Sequence, residues 1–131
     1  MRLLLDTHIA LWAIEDSRKL PRQARAIIAE PDNDVYVSAA SLWEIAIKHG
    51  LRRRGRNAMP ISAAEAREFF HAAGYGFLPM TIDHVCAVEQ LPQLHADPFD
   101  RMLVAQALVE PMRLVTHDAR IASYGNVVMK V

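Results

Sequence analysis

Four acidic residues, Asp6, Glu44, Asp100 and Asp118, are the strongest candidates for chemistry in this chain. Carboxylates drawn together from distant parts of a sequence repel one another, and some stay protonated near neutral pH unless a cation joins them. All-oxygen ligation of that kind suits Mg²⁺ or Mn²⁺, with waters completing the octahedron. A hard cation so held polarises a phosphate oxygen, lowers the pKa of a water and steadies a leaving oxygen. The chemistry expected of such a set is phosphodiester hydrolysis by water, with no covalent enzyme intermediate.

Each acid also has an ordinary explanation. Asp6 and Asp118 can cap the helices that follow them. Asp97 and Asp100 bracket Pro98 in the manner of a helix cap and its third-position carboxylate. Glu44 and Lys48 are four apart in the favourable order for a surface ion pair. Two arguments weigh against four separate structural roles. On a helical wheel Asp100 falls on the side of Leu103, Val104 and Ala107, and an ionised carboxylate on a buried helix face needs a cationic partner. The second argument is that the elements around the acids predict convergence.

Those elements read as follows. Residues 2–5 form a continuous apolar run ending at Asp6, as expected of a buried strand. Helices are expected over 7–15 and 21–30, the second with Pro21 in its first turn. Val35-Tyr36-Val37 is β-branched and aromatic, a second strand. Ser38 can cap a helix over 39–49 that Gly50 ends. Further helices are expected over 62–73, 82–91 (capped by Thr81), 98–109 and 119–124, and further strands over 77–80, 113–116 and 127–131. Strands alternating with helices give an α/β fold, a three-layer α/β/α sandwich with a mainly parallel central sheet. The C-terminal ends of parallel strands share one edge, where ligands bind in the crevice. If the first and fourth strands are neighbours, Asp6 and Asp118 face each other there, and Glu44 and Asp100 are near enough to join them.

Composition sets bounds on partners. The 131 residues suit one domain, 1–131, and 52% of them are hydrophobic, enough for a core without disulfides. The one cysteine, Cys86, has apolar neighbours and reads as a small buried hydrophobe in a reducing compartment. Acidic residues interrupt the apolar N-terminus, so neither a signal peptide nor a membrane span is expected, and a cytoplasmic protein is. Lysine plus arginine equals aspartate plus glutamate at 15 each, so no global field attracts nucleic acid. The dense positive cluster is Arg52, Arg53, Arg54 and Arg56. It reads either as a solvated loop after a helix C-terminus or, as a group, as a grip on a phosphate backbone.

The stretches around the four acids resemble the PIN-domain ribonucleases, most closely the VapC-like toxins of type II toxin–antitoxin pairs. Met1-Arg2-Leu3-Leu4-Leu5-Asp6-Thr7-His8 is similar to the family's opening strand and first acid. Val37-Ser38-Ala39-Ala40-Ser41-Leu42-Trp43-Glu44-Ile45 is similar to its second signature. Asp97-Pro98-Phe99-Asp100-Arg101-Met102-Leu103-Val104-Ala105-Gln106-Ala107 is the most specific stretch, and Leu114-Val115-Thr116-His117-Asp118 carries the fourth acid. The resemblance spans essentially the whole chain with no departure at the four acids. It implies a Rossmann-like sandwich, cleavage of single-stranded RNA with Mg²⁺, homodimerisation and inhibition by a cognate antitoxin. Within it Asp97 is either a fifth acid or a cap, and Pro98 at the first helical position favours the cap.

Other residues have narrower expectations. A zinc site using His8 and His117 lacks helical ligand spacing and a cysteine partner. Arg101 suits an ion pair with a nearby carboxylate. Thr116 is either a strand-end capping residue or one that orients a ligand or water. Trp12, Trp43, Phe69, Phe70 and Phe99 fit a core or dimer interface better than base-stacking platforms. A phosphohydrolase of the haloacid-dehalogenase kind would want an acid where His8 stands and a lysine near the fourth strand. A non-catalytic PIN-like binding module is the remaining alternative, and the presence of all four acids counts against it.

Overall fold

The computed structural model describes residues 1–51 and 59–131. Its elements run β1 (Arg2–Leu5), α1 (Thr7–Ile14), α2 (Arg22–Ala29), β2 (Asp34–Ser38), α3 (Ala39–Gly50) and α4 (Ala63–Ala72). They continue as β3 (Gly76–Leu78), α5 (Ile82–Val88), α6 (Pro98–Val109), β4 (Arg113–Thr116), α7 (Ala119–Ala122) and β5 (Val128–Lys130). The five strands form one sheet in the order β3-β2-β1-β4-β5, and every neighbouring pair is parallel.

The apolar run of β1 is explained by its central place. Leu3, Leu4 and Leu5 are fully buried because helices cover both faces of the sheet. Successive side chains point to opposite faces, so Leu3 and Leu5 join Ile9, Phe70 and Val115 in one core. Leu4 joins Leu103, Val104 and Leu114 in the other. Helix α3 reaches both cores, with Ile45 in the first and Ala40 in the second. The result is the expected three-layer α/β/α sandwich, with a sheet that is parallel throughout.

Parallel register is what positions the site. Leu5 pairs with Val37 on one side and with Val115 on the other, so β1, β2 and β4 end at the same edge. Asp6, Ser38 and Thr116 stand at those three ends. A buried polar chain braces the same region from below. Ser38 Oγ donates to Gln106 Oε1 (2.5 Å), and Gln106 Nε2 lies 3.2 Å from His84 Nδ1. His84 Nε2 sits 2.6 Å from Glu110 Oε2. These bonds link the end of β2, α5 and α6, and the Ser38, Gln106 and His84 side chains among them are fully buried.

Several boundaries differ from expectation for local reasons. Pro21 precedes α2 as its cap residue and is not in the first turn. The third strand begins at Gly76, where a Cβ would come within 2.7 Å of the Tyr36 ring, and stops before Pro79, which has no N–H for a ladder. Helix α5 ends at Val88, and the next three residues make tighter turns before Pro92. The terminal helix stops at Ala122, ahead of Gly125 with φ 104°.

Three side-chain expectations are corrected or refined. Cys86 is exposed, because α5 turns His84, Ala87 and Val88 inward and leaves Cys86 on its outer side. Arg101 makes no carboxylate pair. It is buried and donates to Pro92 O (3.0 Å), Val88 O (3.2 Å) and Tyr124 Oη (3.1 Å), fastening the segment that leads into α6. Of the aromatics, Phe70 is core, whereas Trp43 is 54% exposed with Phe99 edge-on at 5.1 Å, and Phe69 is similarly exposed. Among the described residues, no helix is long and apolar enough to cross a membrane.

Candidate functional site

Asp6 ends β1 and caps α1. Its Oδ1 accepts from the backbone N–H of His8 (2.8 Å) and of Ile9 (3.5 Å), and its Oδ2 accepts from Thr116 Oγ1 (2.5 Å). The capping explanation is therefore true, and it leaves Oδ2 a further lone pair. Burial pushes the Asp6 carboxyl above its ordinary range, and the Thr116 and backbone bonds oppose that shift. Thr116 serves its expected role at a strand end, since its hydroxyl also accepts from the N–H of Asp118 (3.1 Å). One hydroxyl thus ties the ends of β1 and β4 together.

Glu44 lies in the second turn of α3, whose start is capped by Ser38. Its side chain is only 4% exposed and pairs with Lys48 Nζ at 2.5 Å. The i,i+4 pair expected on a surface is thus mostly buried. A buried partner is costly to leave alone, so Lys48 serves to neutralise Glu44. Asp97 caps α6 by accepting from Phe99 N (2.8 Å) and Asp100 N (3.2 Å), with Pro98 following as expected. Asp100 is in the first turn of α6 and bonds His95 Nε2 at 2.7 Å. Burial pushes the Asp100 carboxyl up to about 6; the His95 bond pulls against this, and the charges of Asp97, Asp6 and Glu44 add to it. Asp118 caps α7 and is gripped by Arg120 through Nε (3.2 Å) and Nη2 (2.9 Å), which holds its carboxyl below the usual range.

These acids share one cavity of about 280 Å³ at the strand-end edge of the sheet. Asp6, Glu44, Asp97, Asp100 and Asp118 line it, with Lys48 and Arg120 as the only lysine and arginine among the lining residues. Ile9, Trp12 and Ile121 supply apolar wall. The structure thus brings all four predicted acids together, and Asp97 is at once a cap and a member of the group. Among the described residues, five carboxylates against two amine or guanidinium cations give the cavity lining a negative balance. A hard divalent cation fits that donor set, and Lys48 and Arg120 already mark where positive charge is welcome.

Some residues fall outside this grouping. Arg52, Arg53, Arg54 and Arg56 lie outside the described residues. His8 and His117 line the cavity too, but His117 Nδ1 lies 2.6 Å from Val131 O, and among the described residues neither joins a metal-ligand cluster. The cluster found among the described residues is His95, Asp100 and Asp118, with one ligand atom of each within 4.8 Å of the others. His95 was missed from the sequence, because it lies in a stretch without helical or strand periodicity. Arg120 was missed too, since a single arginine in a short helix has no distinctive spacing.

The PIN domain family matches residues 3–127, nearly the full length. The chain belongs to the PIN-domain family. Ribonuclease VapC22 of Mycobacterium tuberculosis is 30% identical over 122 residues, covering 93% of this PIN domain's chain and 91% of its own. A VapBC2 structure from Rickettsia felis, bound to a DNA fragment from its promoter, superposes with a TM-score of 0.68 at 14% identity. That match covers 99% of this chain and 98% of the other. A toxin–antitoxin complex from Klebsiella pneumoniae gives 0.65 at 18%, covering 98% and 96%. The two structures establish the PIN fold, and the sequence relative makes this PIN domain similar to a VapC ribonuclease.

The burial of Asp100 beside other acids should be measurable as instability. The folded value of Asp100, about 6, lies above the ordinary 3.8 of an aspartate, so the folded chain holds that proton more tightly than the unfolded one. This group's contribution to stability is therefore greatest below the unfolded value and is lost as pH rises through the folded one. Asp100→Asn should stabilise the metal-free protein by about 1 kcal/mol near neutral pH, after discounting for solvent screening. The gain should shrink toward pH 4. Urea unfolding in chelator at both pH values measures it, and a variant weaker than the parent at neutral pH would contradict the cost of burying that charge.

Proposed function

We propose that this PIN domain is a divalent-metal-dependent endoribonuclease that cleaves single-stranded RNA, with Mg²⁺ or Mn²⁺ as its ion. In the same reading it is the toxin of a toxin–antitoxin pair, held inactive by a cognate antitoxin protein. The observation that carries the reading is the meeting of Asp6, Glu44, Asp100 and Asp118 in one negative cavity. A cation held there would polarise a phosphate oxygen and acidify a water. The chain's own residues do the rest. Thr116 and two backbone N–H groups fix the direction of Asp6. Glu44, Asp100 and Asp118 share the load of ligation. Lys48 and Arg120 line the same cavity and can pass their positive charge from carboxylate to phosphate oxygens once an ion satisfies the acids.

The antitoxin partner is supported by relatives whose structures are toxin–antitoxin complexes. Dimerisation is supported by the exposed apolar side chains Trp43, Ile47 and Leu51, spaced four apart along and just beyond α3. The arginines at 52, 53, 54 and 56 are proposed as the backbone grip, because a chain of zero net charge needs a local source of attraction.

Asp6→Asn should abolish cleavage of single-stranded RNA, by a factor of at least about 100, while leaving the unfolding midpoint near the parent's. EDTA should stop cleavage and Mg²⁺ or Mn²⁺ restore it; cleavage indifferent to chelation would sink the metal-dependent reading. Replacing the four arginines with glutamine should weaken RNA binding and reduce the salt slope by up to about 3. An unchanged slope would assign that segment elsewhere. Sedimentation should report twice the 14.7 kDa monomer mass, and a monomer at micromolar concentration would remove the dimer from the reading.

A further inference from the structure

We propose that His95 is a direct nitrogen ligand of the cation, making the site select transition-metal ions over Mg²⁺. The inference rests on the metal-dependent reading above and concerns which donors complete it. His95 Nε2 lies 2.7 Å from Asp100 Oδ2, and one ligand atom each of His95, Asp100 and Asp118 form a triangle no wider than 4.8 Å. Donors around one ion at about 2.1 Å stand about 3 Å apart when adjacent and about 4 Å apart when opposite. The triangle therefore closes on an ion with small side-chain adjustments.

The surroundings point the same way. The His95 side chain is 6% exposed, and Asp100 is its one hydrogen-bond partner among the described residues. Its ring also lines a neighbouring apolar pocket with Trp43, Val88, Phe99 and Met102, so an imidazole with an apolar flank presents its nitrogen to the acids. Asp118 is gripped by Arg120, whose side chain is 72% exposed and has room to release the carboxylate when an ion arrives. A neutral imidazole then donates its lone pair, and the proton it shared with Asp100 leaves from the nitrogen or moves to the other ring nitrogen. Mg²⁺ keeps oxygen ligands and gains little from imidazole, whereas later divalent ions gain progressively more.

An outer hydrogen bond from His95 to a ligating Asp100 would also strengthen metal binding, so lost affinity alone does not separate the two roles. Two measurements on the whole protein do. Mn²⁺ bound to the parent should show nitrogen coupling of a histidine ligand in pulsed electron paramagnetic resonance, and His95→Gln should lose it. By calorimetry the same variant should bind Co²⁺ at least about tenfold more weakly while Mg²⁺ changes by less than about threefold. Mn²⁺ binding without nitrogen coupling, coupling that survives in His95→Gln, or equal loss for both ions would overturn the assignment and leave the carboxylate site standing. Failure of the parent to bind Mn²⁺ at all would remove the metal-dependent reading and this inference with it. Urea unfolding of the variant in chelator establishes that it is folded.

Discussion

The parallel pairing of β1 with both β2 and β4 is the constraint on which the rest depends. Hydrogen bonds in register carry Leu5, Val37 and Val115 to the same height, and the chain must leave the sheet at one edge three times. Whatever residue follows each strand is delivered to that edge by backbone geometry alone. Asp6 arrives directly after β1, Glu44 one turn into the helix after β2, and Asp118 just after β4. The Thr116 hydroxyl then fixes the remaining freedom between the two central strand ends.

Bringing like charges into a half-buried cavity opposes folding, and the structure spreads that opposition over several devices. Three of the acids cap helices, so backbone N–H groups offset part of their charge: Asp6 for α1, Asp97 for α6 and Asp118 for α7. Lys48 and Arg120 offset more. Burial raises both Asp6 and Asp100, and His95 is the side chain that bonds Asp100. The scaffold beneath is correspondingly firm: Gln106, His84 and Ser38 are buried and bonded to one another, and they hold α3 and α6 at a fixed separation.

Much of this was legible before any coordinates. The apolar run before Asp6, the Ser38 cap and the Asp97-Pro98 start are local signals, and each element they announce is present. Asp100 on the apolar side of its helix pointed correctly to an acid held inside. What escaped were facts set by packing between elements. Cys86 has apolar neighbours in sequence, yet exposure depends on which way α5 rolls against α6. Arg101 follows an acid in sequence but turns to carbonyl oxygens on the far side. His95 sits in a stretch without periodicity, where spacing carries no information about direction. The choice between cap and ligand for Asp97 was posed as an alternative, and the geometry lets one side chain serve as a cap while lining the cavity.

Asp100 and Arg101 are adjacent in the chain and turn in different directions. The first faces the acids; the second, buried, fastens the segment bearing His95 to Val88, Pro92 and Tyr124. Neighbouring letters of one short stretch therefore answer to different demands, one electrostatic and one architectural. A lesion at the arginine would silence the protein by letting a wall sag, although no reacting group had been touched.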